Sequence, residues 1–324
     1  MTLTEEKPQI SVVMAVYNCD QYLDEAVDSI LNQTFEDFEF IIIDDGSTDG
    51  SRDTLRRLTE RDSRIVAIQQ DNVGLTKSLN RGLALAKGEY IARMDGDDIA
   101  TPERLEKQLQ AFVENPDLVL LGAGVELISE DGLALGRRNQ PREEIEIRRR
   151  LLLGDGGALT HPVVMFRRDT ANAIGGYDER FTTTQDLDLF IRLAEQGRVF
   201  NLPEILLKWR QHGGSVNHTK SDTWMKMKRM AINGAIKRMG VEQFVEGLFP
   251  AGEKYSFPKN ALELARFARA HDRKKSAKTL LNRAIREPET RSAAVEDLIE
   301  QRILGIWWIL RNGLRRIKRL IKRS

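Results

Sequence analysis

One pattern repeats through the N-terminal third of the chain: a short apolar run, a polar turn and then an amphipathic helical stretch. The apolar runs, which predict strands, are residues 10–16, 38–43, 64–68 and 90–94. The helical stretches between them are residues 23–31, 47–58 and 75–86. Because strands that alternate with helices form βαβ units, the pattern predicts an α/β fold with a mostly parallel sheet flanked by helices. Ligands bind such sheets beyond the carboxyl ends of the strands, so the residues that end each strand are the first candidates for function.

The length of the chain leaves room for a second domain. Its 324 residues exceed the roughly 150 of an average domain, and strand signals end near residue 220. The elements expected between the first repeats and that point are short strands over 118–138, a helix over 141–153, a strand over 161–167, a helix over 186–196 and a strand over 204–210. We therefore expect an α/β domain over residues 1–220 and a smaller all-α domain over residues 221–324. The helices predicted in the second domain are 224–240, 259–271, 274–286 and 292–311.

Charge, cysteine content and the two ends of the chain bear on partners and location. Lys and Arg number 50 against 49 Asp and Glu, a balance that predicts no nucleic-acid partner. The single cysteine, Cys19, suits a reducing cytosol, and residues 1–9 lack the apolar run of a signal peptide.

The last stretch of the chain, residues 303–324, has an unusual composition. It combines Trp307 and Trp308 with seven Lys or Arg and no acidic residue. This composition is typical of a helix that lies in a membrane interface. We therefore expect a cytoplasmic protein attached peripherally to the inner face of the cell membrane. A packed helix with a solvated basic end is the alternative.

Acidic residues end the second predicted strand, in the segment Asp44-Asp45-Gly46-Ser47-Thr48-Asp49-Gly50. For Ser47–Asp49 the best interpretation is a helix N-cap. A calcium loop is excluded, since Arg56 stands where such a loop needs a bidentate Glu. Capping alone does not explain two carboxylates at a buried strand end, and Asp45 could accept a hydrogen bond from a nucleobase or a ribose.

Three more acids follow the fourth predicted strand, as Asp95, Asp97 and Asp98 around Gly96. Carboxylates placed this close repel one another unless a cation neutralises them. Hard oxygen ligands in this number suit Mg²⁺ or Mn²⁺ bound to a diphosphate. The sequence therefore predicts a metal site, with a solvated acidic turn as the alternative.

Five short segments in series carry a resemblance to a known family. They are Ser11-Val12-Val13-Met14-Ala15-Val16-Tyr17-Asn18, Asp44-Asp45-Gly46-Ser47-Thr48-Asp49, Asn72-Val73-Gly74, Ala92-Arg93-Met94-Asp95-Gly96-Asp97-Asp98 and Gln185-Asp186-Leu187-Asp188-Leu189. In order and spacing they resemble the family-2 glycosyltransferases of the GT-A (Rossmann-like) fold. The resemblance covers about residues 9–215 and does not extend to the C-terminal third.

The resemblance implies a nucleotide-diphosphate-sugar donor, UDP-linked, and a site for it. Ala15, Tyr17 and Asp45 would line the nucleoside pocket. Asp95 and Asp97 would hold Mg²⁺ or Mn²⁺, with Asp97 as the direct ligand. The metal would stabilise the negative charge that builds on the leaving diphosphate.

The resemblance also implies a general base, Asp186, and inversion at the anomeric carbon. Asp188 is the other acid of that segment, but it precedes Arg192 by four residues and could pair with it on the helix surface. Asp186 could instead be only an N-cap. The family usually has Glu-Asp here, whereas this chain has Gln185 before the base.

Further residues complete the expected donor set. The resemblance brings in Asn72, while Lys77, Arg81 and Arg93 could counter phosphate charge, with surface salt bridges as an alternative for Lys77 and Arg81. Arg210 and His212 belong to a segment, residues 210–215, that resembles the family's closing loop over the diphosphate. For a further histidine, His161, a structural role is favoured over an acceptor-side role.

We thus expect an inverting, metal-dependent glycosyltransferase that acts on a hydroxyl of a growing or lipid-linked glycan in bacterial surface-polysaccharide biosynthesis, and that could form oligomers. A dinucleotide oxidoreductase is excluded because the first turn, residues 17–20, has no Gly-rich fingerprint. A sugar nucleotidyltransferase would need a Gly-rich, Arg-containing first loop. A non-catalytic glycan- or nucleotide-binding scaffold is the remaining alternative, although Asp45, Asp97 and Asp186 are all present.

Overall fold

The computed structural model describes residues 7–138, 140–212 and 222–238. The chain divides into two units between Ala235 and Ile236, and the sheet lies in the first. The strands are β1 (Ile10–Val16), β2 (Phe38–Asp45), β3 (Ile65–Gln70), β4 (Tyr90–Met94), β5 (Ile99–Ala100), β6 (Leu118–Ile128), β7 (Ala134–Arg138), β8 (Met165–Arg167) and β9 (Arg198–Arg210). The helices are α1 (Asp20–Leu31), α2 (Ser51–Arg61), α3 (Leu75–Leu85), α4 (Arg104–Glu114), α5 (Glu144–Leu152), α6 (Arg168–Ala173), α7 (Gln185–Gln196) and α8 (Asp222–Arg238).

The strands of the described residues form one sheet in the order β3-β2-β1-β4-β8-β6-β9-β5, with β7 paired to β6. The first four strands of this order are parallel, as the repeated pattern predicts. Strand β8 is antiparallel to both β4 and β6 and joins this parallel half to a mixed half, in which β6 and β9 are parallel. Because β1 pairs with β2 on one side and with β4 on the other, the chain reverses direction across the sheet at β1. This reversal is the switch point at which such sheets bind ligands.

Apolar helix faces fix the sheet in place. Burial of a Val, Leu or Ile side chain contributes about 1.5–3 kcal/mol, so a few such residues anchor a helix. On α1 the buried positions recur at helical spacing, and they are Leu23, Ala26, Val27 and Ile30. Helix α3 packs still closer, since a Cβ built on Gly82 would lie 2.5 Å from Val13 Cγ1. These contacts hold the carboxyl ends of β1, β2 and β4 at one edge.

The predicted fold class is confirmed, and three local predictions need correction. Helix α4 was not predicted, because Arg104 and Gln108 lie in its buried face and interrupt the apolar pattern. Both are satisfied internally, since Arg104 donates to the carbonyl of Arg93 and Gln108 to that of Val163. Residues 161–167 form a 3-10 turn, His161–Val163, and then β8 instead of one strand. Strand β9 begins at Arg198, six residues before the predicted start.

Several predictions fall on residues beyond the described ranges. Residue 220, the expected domain boundary, is one of them, and so the division into domains stays a prediction. The helices predicted over 259–271, 274–286 and 292–311 and the basic stretch 303–324 also lie outside. The helix predicted over 224–240 is found as α8. None of the helices that can be described combines the length and apolar character needed to cross a membrane.

Candidate active site

Three strand ends meet at the switch-point edge of the sheet. Strand β1 lies between β2 and β4, and its last residue, Val16, is in register with Asp44. Tyr17 directly follows β1, Asp45 ends β2 and Asp95 directly follows β4. The structure therefore brings together the three segments in which the sequence predicted the chemistry.

Asp44 organises the turn after β2. Its carboxylate is fully buried and accepts a hydrogen bond from the backbone N–H of Ser47 at 2.9 Å. Helix α2 begins at Ser51 with Gly50 as its cap residue, so the N-cap predicted over residues 47–49 is one position too early. Asp49 supplies the capping contact from outside, since its Oδ1 accepts from the Ser51 N–H at 3.0 Å.

Asp45 organises the neighbouring loop. Its Oδ1 accepts from the side chain of Gln70 at 2.8 Å and from the N–H of Val73 at 2.9 Å, and its Oδ2 accepts from the N–H of Gly74 at 2.9 Å. Burial acts to raise the pKa of Asp45, but these hydrogen bonds together bring it below its ordinary value. A carboxylate has about four acceptor sites, so Oδ2 keeps one for a ligand donor.

The expected nucleoside pocket is lined by exposed and half-exposed groups around Asp45. Tyr17 is 50% exposed, and Ala15 is partly exposed. Gly46 has φ +78° and lies so close to the next loop that a Cβ on it would be 2.7 Å from the backbone nitrogen of Asn72. Only glycine accommodates both the backbone conformation and this approach. Asn72 is thereby held beside the end of β2.

Two cations of α3 have different surroundings. Lys77 is exposed on the surface of the helix. Arg81 is also exposed, and its Nη1 donates to Oε1 of Gln70 at 2.7 Å, in support of the Gln70 contact to Asp45. Arg81 therefore donates to an amide oxygen here instead of forming the salt bridge considered as the alternative.

Three acids form a cluster after β4. One carboxylate oxygen each from Asp95, Asp97 and Asp98 lie within 4.8 Å of one another. Asp98 is fully buried; its Oδ1 accepts from the N–H of Arg210 at 2.8 Å, and its Oδ2 is buried without a hydrogen-bond partner. An orphaned carboxylate oxygen beside two other carboxylates fits a divalent cation that prefers oxygen ligands.

Electrostatics support the same interpretation of the acidic cluster. Burial, together with the neighbouring charges of Asp95 and Asp97, raises the pKa of Asp98 well above its ordinary value. Burial likewise raises the pKa of Asp95, against the attraction of Arg93, and the charges of Asp97 and Asp186 add to the rise. The protein alone therefore leaves this cluster short of positive charge, which a metal ion would supply.

His212 lies against the cluster. Its Nε2 is 2.8 Å from Oδ2 of Asp97, and its ring is 5.1 Å from that of Tyr22. His212 thus contacts the acid expected to bind the metal, and the association of the 210–215 segment with the diphosphate stays a prediction. Residues 213–215 lie outside the described ranges.

Arg210 is buried and has a different role from the predicted phosphate contact. Its Nε donates to the backbone carbonyl of Asp97 at 2.9 Å, its Nη1 to that of Glu130 at 2.7 Å, and its Nη2 to Glu25 at 2.6 Å. Its guanidinium also stacks on Tyr22, 4.8 Å from the ring centroid. The charge of Arg210 is therefore committed to holding the cluster loop, because every nitrogen of the guanidinium already has a partner.

Arg93 is also buried beneath the site instead of facing solvent. It forms an ion pair with Asp95, while its Nε and Nη1 are buried without hydrogen-bond partners. Its charge acts on Asp95, Asp98 and Asp186, and in each case it lowers the pKa. Arg93 therefore balances the acids of the site from within the sheet.

Asp186 is the second residue of α7. Its Oδ1 accepts from the N–H of Leu187 at 2.8 Å, and burial raises its pKa. The helix cap is Thr184, so the alternative that Asp186 is merely an N-cap is wrong. A Cβ on Gly156 would lie 3.7 Å from Asp186 Oδ2, which puts that loop beside the carboxylate.

Two further residues have structural roles. Asp188 pairs with Arg192 as predicted, with 2.6 Å between Oδ2 and Nη2, but Asp188 is buried and Arg192 is partly buried, so the pair is not on the surface. His161 is buried, and its Nε2 is 2.8 Å from the hydroxyl of Tyr177. Burial, with the charge of Arg93, puts the pKa of His161 well below its ordinary value, so this imidazole is neutral. The favoured structural interpretation of His161 fits this environment.

Sequence reasoning did not select Tyr22 and Glu25, which hold Arg210 and His212. Both lie on α1 three positions apart and therefore on one face of the helix. That spacing is the signal that could have found them. It could not have named their partners, because Arg210 is 185 residues away from Glu25 in sequence.

Comparison with known sequences places this chain among glycosyltransferases. The family described as Glycosyl transferase family 2 matches residues 11–175. An uncharacterized glycosyltransferase of Haemophilus influenzae is 32% identical over 253 residues, 74% of this chain and 77% of that protein. The O-antigen biosynthesis glycosyltransferase WbnJ of Escherichia coli is 33% identical over 244 residues, 74% of this chain and 94% of that protein.

Comparison with solved structures agrees in fold. The S. aureus protein TarS, residues 1–349 in complex with UDP-GlcNAc, superposes with a TM-score of 0.56 at 18% identity, covering 86% of this chain and 72% of that one. The same fragment in complex with UDP gives a TM-score of 0.54 at 16% identity, covering 92% of each chain. At this identity the likeness concerns the fold alone.

Proposed function

The chain belongs to glycosyl transferase family 2 and is a glycosyltransferase, and we propose that it is an inverting, metal-dependent enzyme that transfers a sugar from a UDP-sugar to a glycan hydroxyl. One observation carries the proposal. An acidic cluster with an orphaned buried oxygen lies near a separate carboxylate, Asp186, whose charge acts on Asp95. A cation site after β4 and a base at the start of α7 are what metal-assisted transfer from a diphosphate needs.

The nucleoside side of the proposal uses residues that are already held in place. Asp45 has one acceptor site left on Oδ2 for a nucleobase or ribose donor, and the half-exposed Tyr17 ring offers a surface for the base. Asn72 and Lys77 lie on the exposed loop and helix next to them. The UDP and UDP-GlcNAc complexes of TarS, a structure of the same fold, favour UDP as the nucleotide.

The metal would be held by Asp97 and Asp95, as Mg²⁺ or Mn²⁺. When bound it supplies Lewis-acid stabilisation of the charge that develops on the departing diphosphate. The chain's own residues keep this position ready: Arg210 fixes the loop through the carbonyl of Asp97, and His212 orients the Asp97 carboxylate. Arg93 fixes Asp95 from below.

Asp186 would accept the proton of the acceptor hydroxyl as that oxygen attacks the anomeric carbon. The bond from that carbon to the diphosphate breaks as the new bond forms on the opposite face, which inverts the configuration. A base works best when its pKa lies close to the working pH, and burial moves the pKa of Asp186 in that direction.

The biological setting is proposed from the relatives and the sequence. WbnJ is named for O-antigen biosynthesis and TuaG of Bacillus subtilis, 32% identical over 229 residues, for teichuronic acid biosynthesis. These names support an acceptor that is a growing or lipid-linked surface polysaccharide. The basic residues 303–324 support a cytoplasmic location at the inner face of the cell membrane.

Calorimetric titration of UDP, GDP and dTDP, each with and without Mn²⁺, tests this proposal. We expect Mn²⁺-dependent binding of UDP, weakened at least tenfold in Asp97→Ala and unchanged in Asp53→Ala, whose carboxylate is exposed on α2. Absence of nucleotide binding by the wild type would overturn the proposed UDP- and metal-dependent mechanism. Preferred binding of GDP or dTDP would keep the reaction and replace the donor.

A further inference from the structure

Three polar side chains in a row, directly before Asp186, make no hydrogen bond to any residue that the structure describes. The hydroxyl oxygens of Thr183 and Thr184 are buried and unpaired. The amide of Gln185, whose side chain belongs to a residue only 7% exposed, makes no hydrogen bond within the described part of the chain. An unsatisfied buried polar group costs about 1–3 kcal/mol, and two such hydroxyls in succession are unusual in a folded protein.

The backbone at this segment is also held in an uncommon conformation. Thr184 has φ +58° and ψ +21°, in the left-handed region that β-branched residues avoid. Its side chain does not cap α7, although a threonine at this position normally would. The hydroxyl therefore makes no bond to the helix amides, and the uncommon backbone conformation accompanies the lack of a partner described above.

The chemistry of these groups selects the ligand. Hydroxyls and a carboxamide donate and accept hydrogen bonds without carrying charge. Phosphate recognition would instead use cations, and a nucleobase would need a flat apolar surface. The hydroxyls of a sugar ring, each of which can donate and accept a hydrogen bond, match this set. The base Asp186 is the next residue in the chain, so the ring concerned is one at the reacting centre.

We propose that Thr183, Thr184 and Gln185 form a subsite that binds the ring hydroxyls of the reacting sugar and selects it. The inference rests on the proposed function, because it needs a sugar beside Asp186. The ring can be the transferred sugar or the acceptor sugar, and both present the same chemistry. Because Gln185 stands in place of an acid, the subsite is uncharged. Its carboxamide can therefore both donate hydrogen bonds to sugar hydroxyls and accept hydrogen bonds from them.

The test compares Thr183→Val and Gln185→Leu with Thr182→Val, an exposed neighbour in the same segment. Calorimetry with Mn²⁺ measures the affinities for UDP and for UDP-glucose, UDP-galactose and UDP-GlcNAc. A second assay follows UDP release with water alone and with p-nitrophenyl glycosides as acceptors. The melting temperature of each variant is recorded alongside.

If the transferred sugar is bound, each variant should lose about tenfold affinity for the preferred UDP-sugar, the loss expected for one hydrogen bond, and keep its affinity for UDP. If the acceptor sugar is bound, both affinities should stay and the KM for the glycoside should rise about tenfold. In either case Thr183→Val should melt no lower than the wild type, since it removes an unpaired buried hydroxyl, whereas a purely structural threonine would give a lower melting temperature.

Wild-type values in both assays for Thr183→Val and Gln185→Leu would overturn the inference and leave the proposed function intact. Losses equal to those of Thr182→Val would do the same. A wild type that binds no nucleotide would instead remove the proposed function, and this inference with it. The two failures are therefore distinguishable from the wild-type titration alone.

Discussion

Two sides of the same sheet edge treat their carboxylates in opposite ways. On the side of β2, Asp44 and Asp45 accept hydrogen bonds from backbone amides, and the pKa of Asp45 is lowered. On the side of β4 and α7, Asp95, Asp98 and Asp186 have raised pKa values, and Asp98 keeps an unpaired oxygen. The first side is complete without a ligand, whereas the second is short of positive charge and of hydrogen-bond partners.

The difference teaches how the site divides its work. A pocket whose acids are satisfied is already organised and can bind a nucleoside with little rearrangement. A pocket whose carboxylates have raised pKa values is stabilised when a cation or a proton binds. This side of the edge therefore favours a ligand that brings positive charge.

Removal of the base should separate activity from stability most strongly. We expect Asp186→Asn to lower kcat about 10²- to 10⁴-fold, the usual contribution of a general base, with no loss in the free energy of unfolding. The stability follows from the raised pKa, since a charge that the fold disfavours is removed. UDP release and urea denaturation measure the two quantities.

Asp188→Asn is the matched control two residues away. Asp188→Asn should lower stability by about 1–3 kcal/mol, because the partly buried Arg192 keeps its bond to the Ile174 carbonyl but loses its charged partner. A destabilised Asp186→Asn variant beside an unaffected Asp188→Asn variant would contradict the assignment of these two acids.

Metal binding should stabilise the protein through the acids that follow β4 and not through those that end β2. At a Mn²⁺ concentration about 100 times its Kd, the wild type should gain about 2.7 kcal/mol of stability, seen as a higher melting temperature. Asp97→Asn should lose most of this gain, whereas Asp45→Asn should keep it. An equal response of both variants to Mn²⁺ would show that the acidic cluster is not the metal site.

On the satisfied side, loss of the carboxylate should weaken the fold itself. Asp45→Ala leaves the amides of Val73 and Gly74 without an acceptor and leaves Gln70 Nε2 with only the Ser78 hydroxyl, so we expect a loss of about 1–3 kcal/mol in the free energy of unfolding. Asp45→Asn, which keeps one acceptor oxygen, should lose less. Urea denaturation of the two variants checks the order, and a more stable Asp45→Ala would contradict it.

The pH dependence of stability should have opposite signs on the two sides. The lowered pKa of Asp45 means that its contribution is present above its unfolded pKa and is lost as the pH falls through its folded value. The raised pKa of Asp98 means that its charged form destabilises the metal-free fold at neutral pH and that protonation relieves this as the pH falls.

Asp98→Asn should therefore stabilise the metal-free protein by about 1 kcal/mol at pH 7, since the asparagine oxygen can still accept from the Arg210 N–H. The advantage should shrink as the pH falls through the raised pKa of Asp98. Denaturation in EDTA across this range measures it. An advantage that grows on acidification would have the wrong sign.

How much of the structure could be predicted depended on how far apart in sequence the interacting residues lie. Strand ends such as Asp45 and Asp97 follow from local periodicity and from the rule that parallel strands present their carboxyl ends at one edge. The partners of those acids do not, because His212 is 115 residues away from Asp97 in sequence and polar pairing has no period. Helix α4 was missed for a similar reason, since Arg104 and Gln108 are buried only because distant carbonyls receive them.

The hydrogen bond from the Arg210 N–H to Asp98 also indicates the order in which the two sides of the site fold. It closes a loop of 112 residues, whereas the elements that surround Asp45 all come from residues 10–85 and are paired locally. Contacts that close long loops form late in folding, because closing the loop costs conformational entropy before the contact stabilises the fold. The side of β2, around Asp45, can therefore form while β9 is still being synthesised. The side of β4, around Asp98, cannot, because it needs Arg210. Pulse-labelled hydrogen exchange during refolding should protect the Val73 and Gly74 amides before that of Arg210.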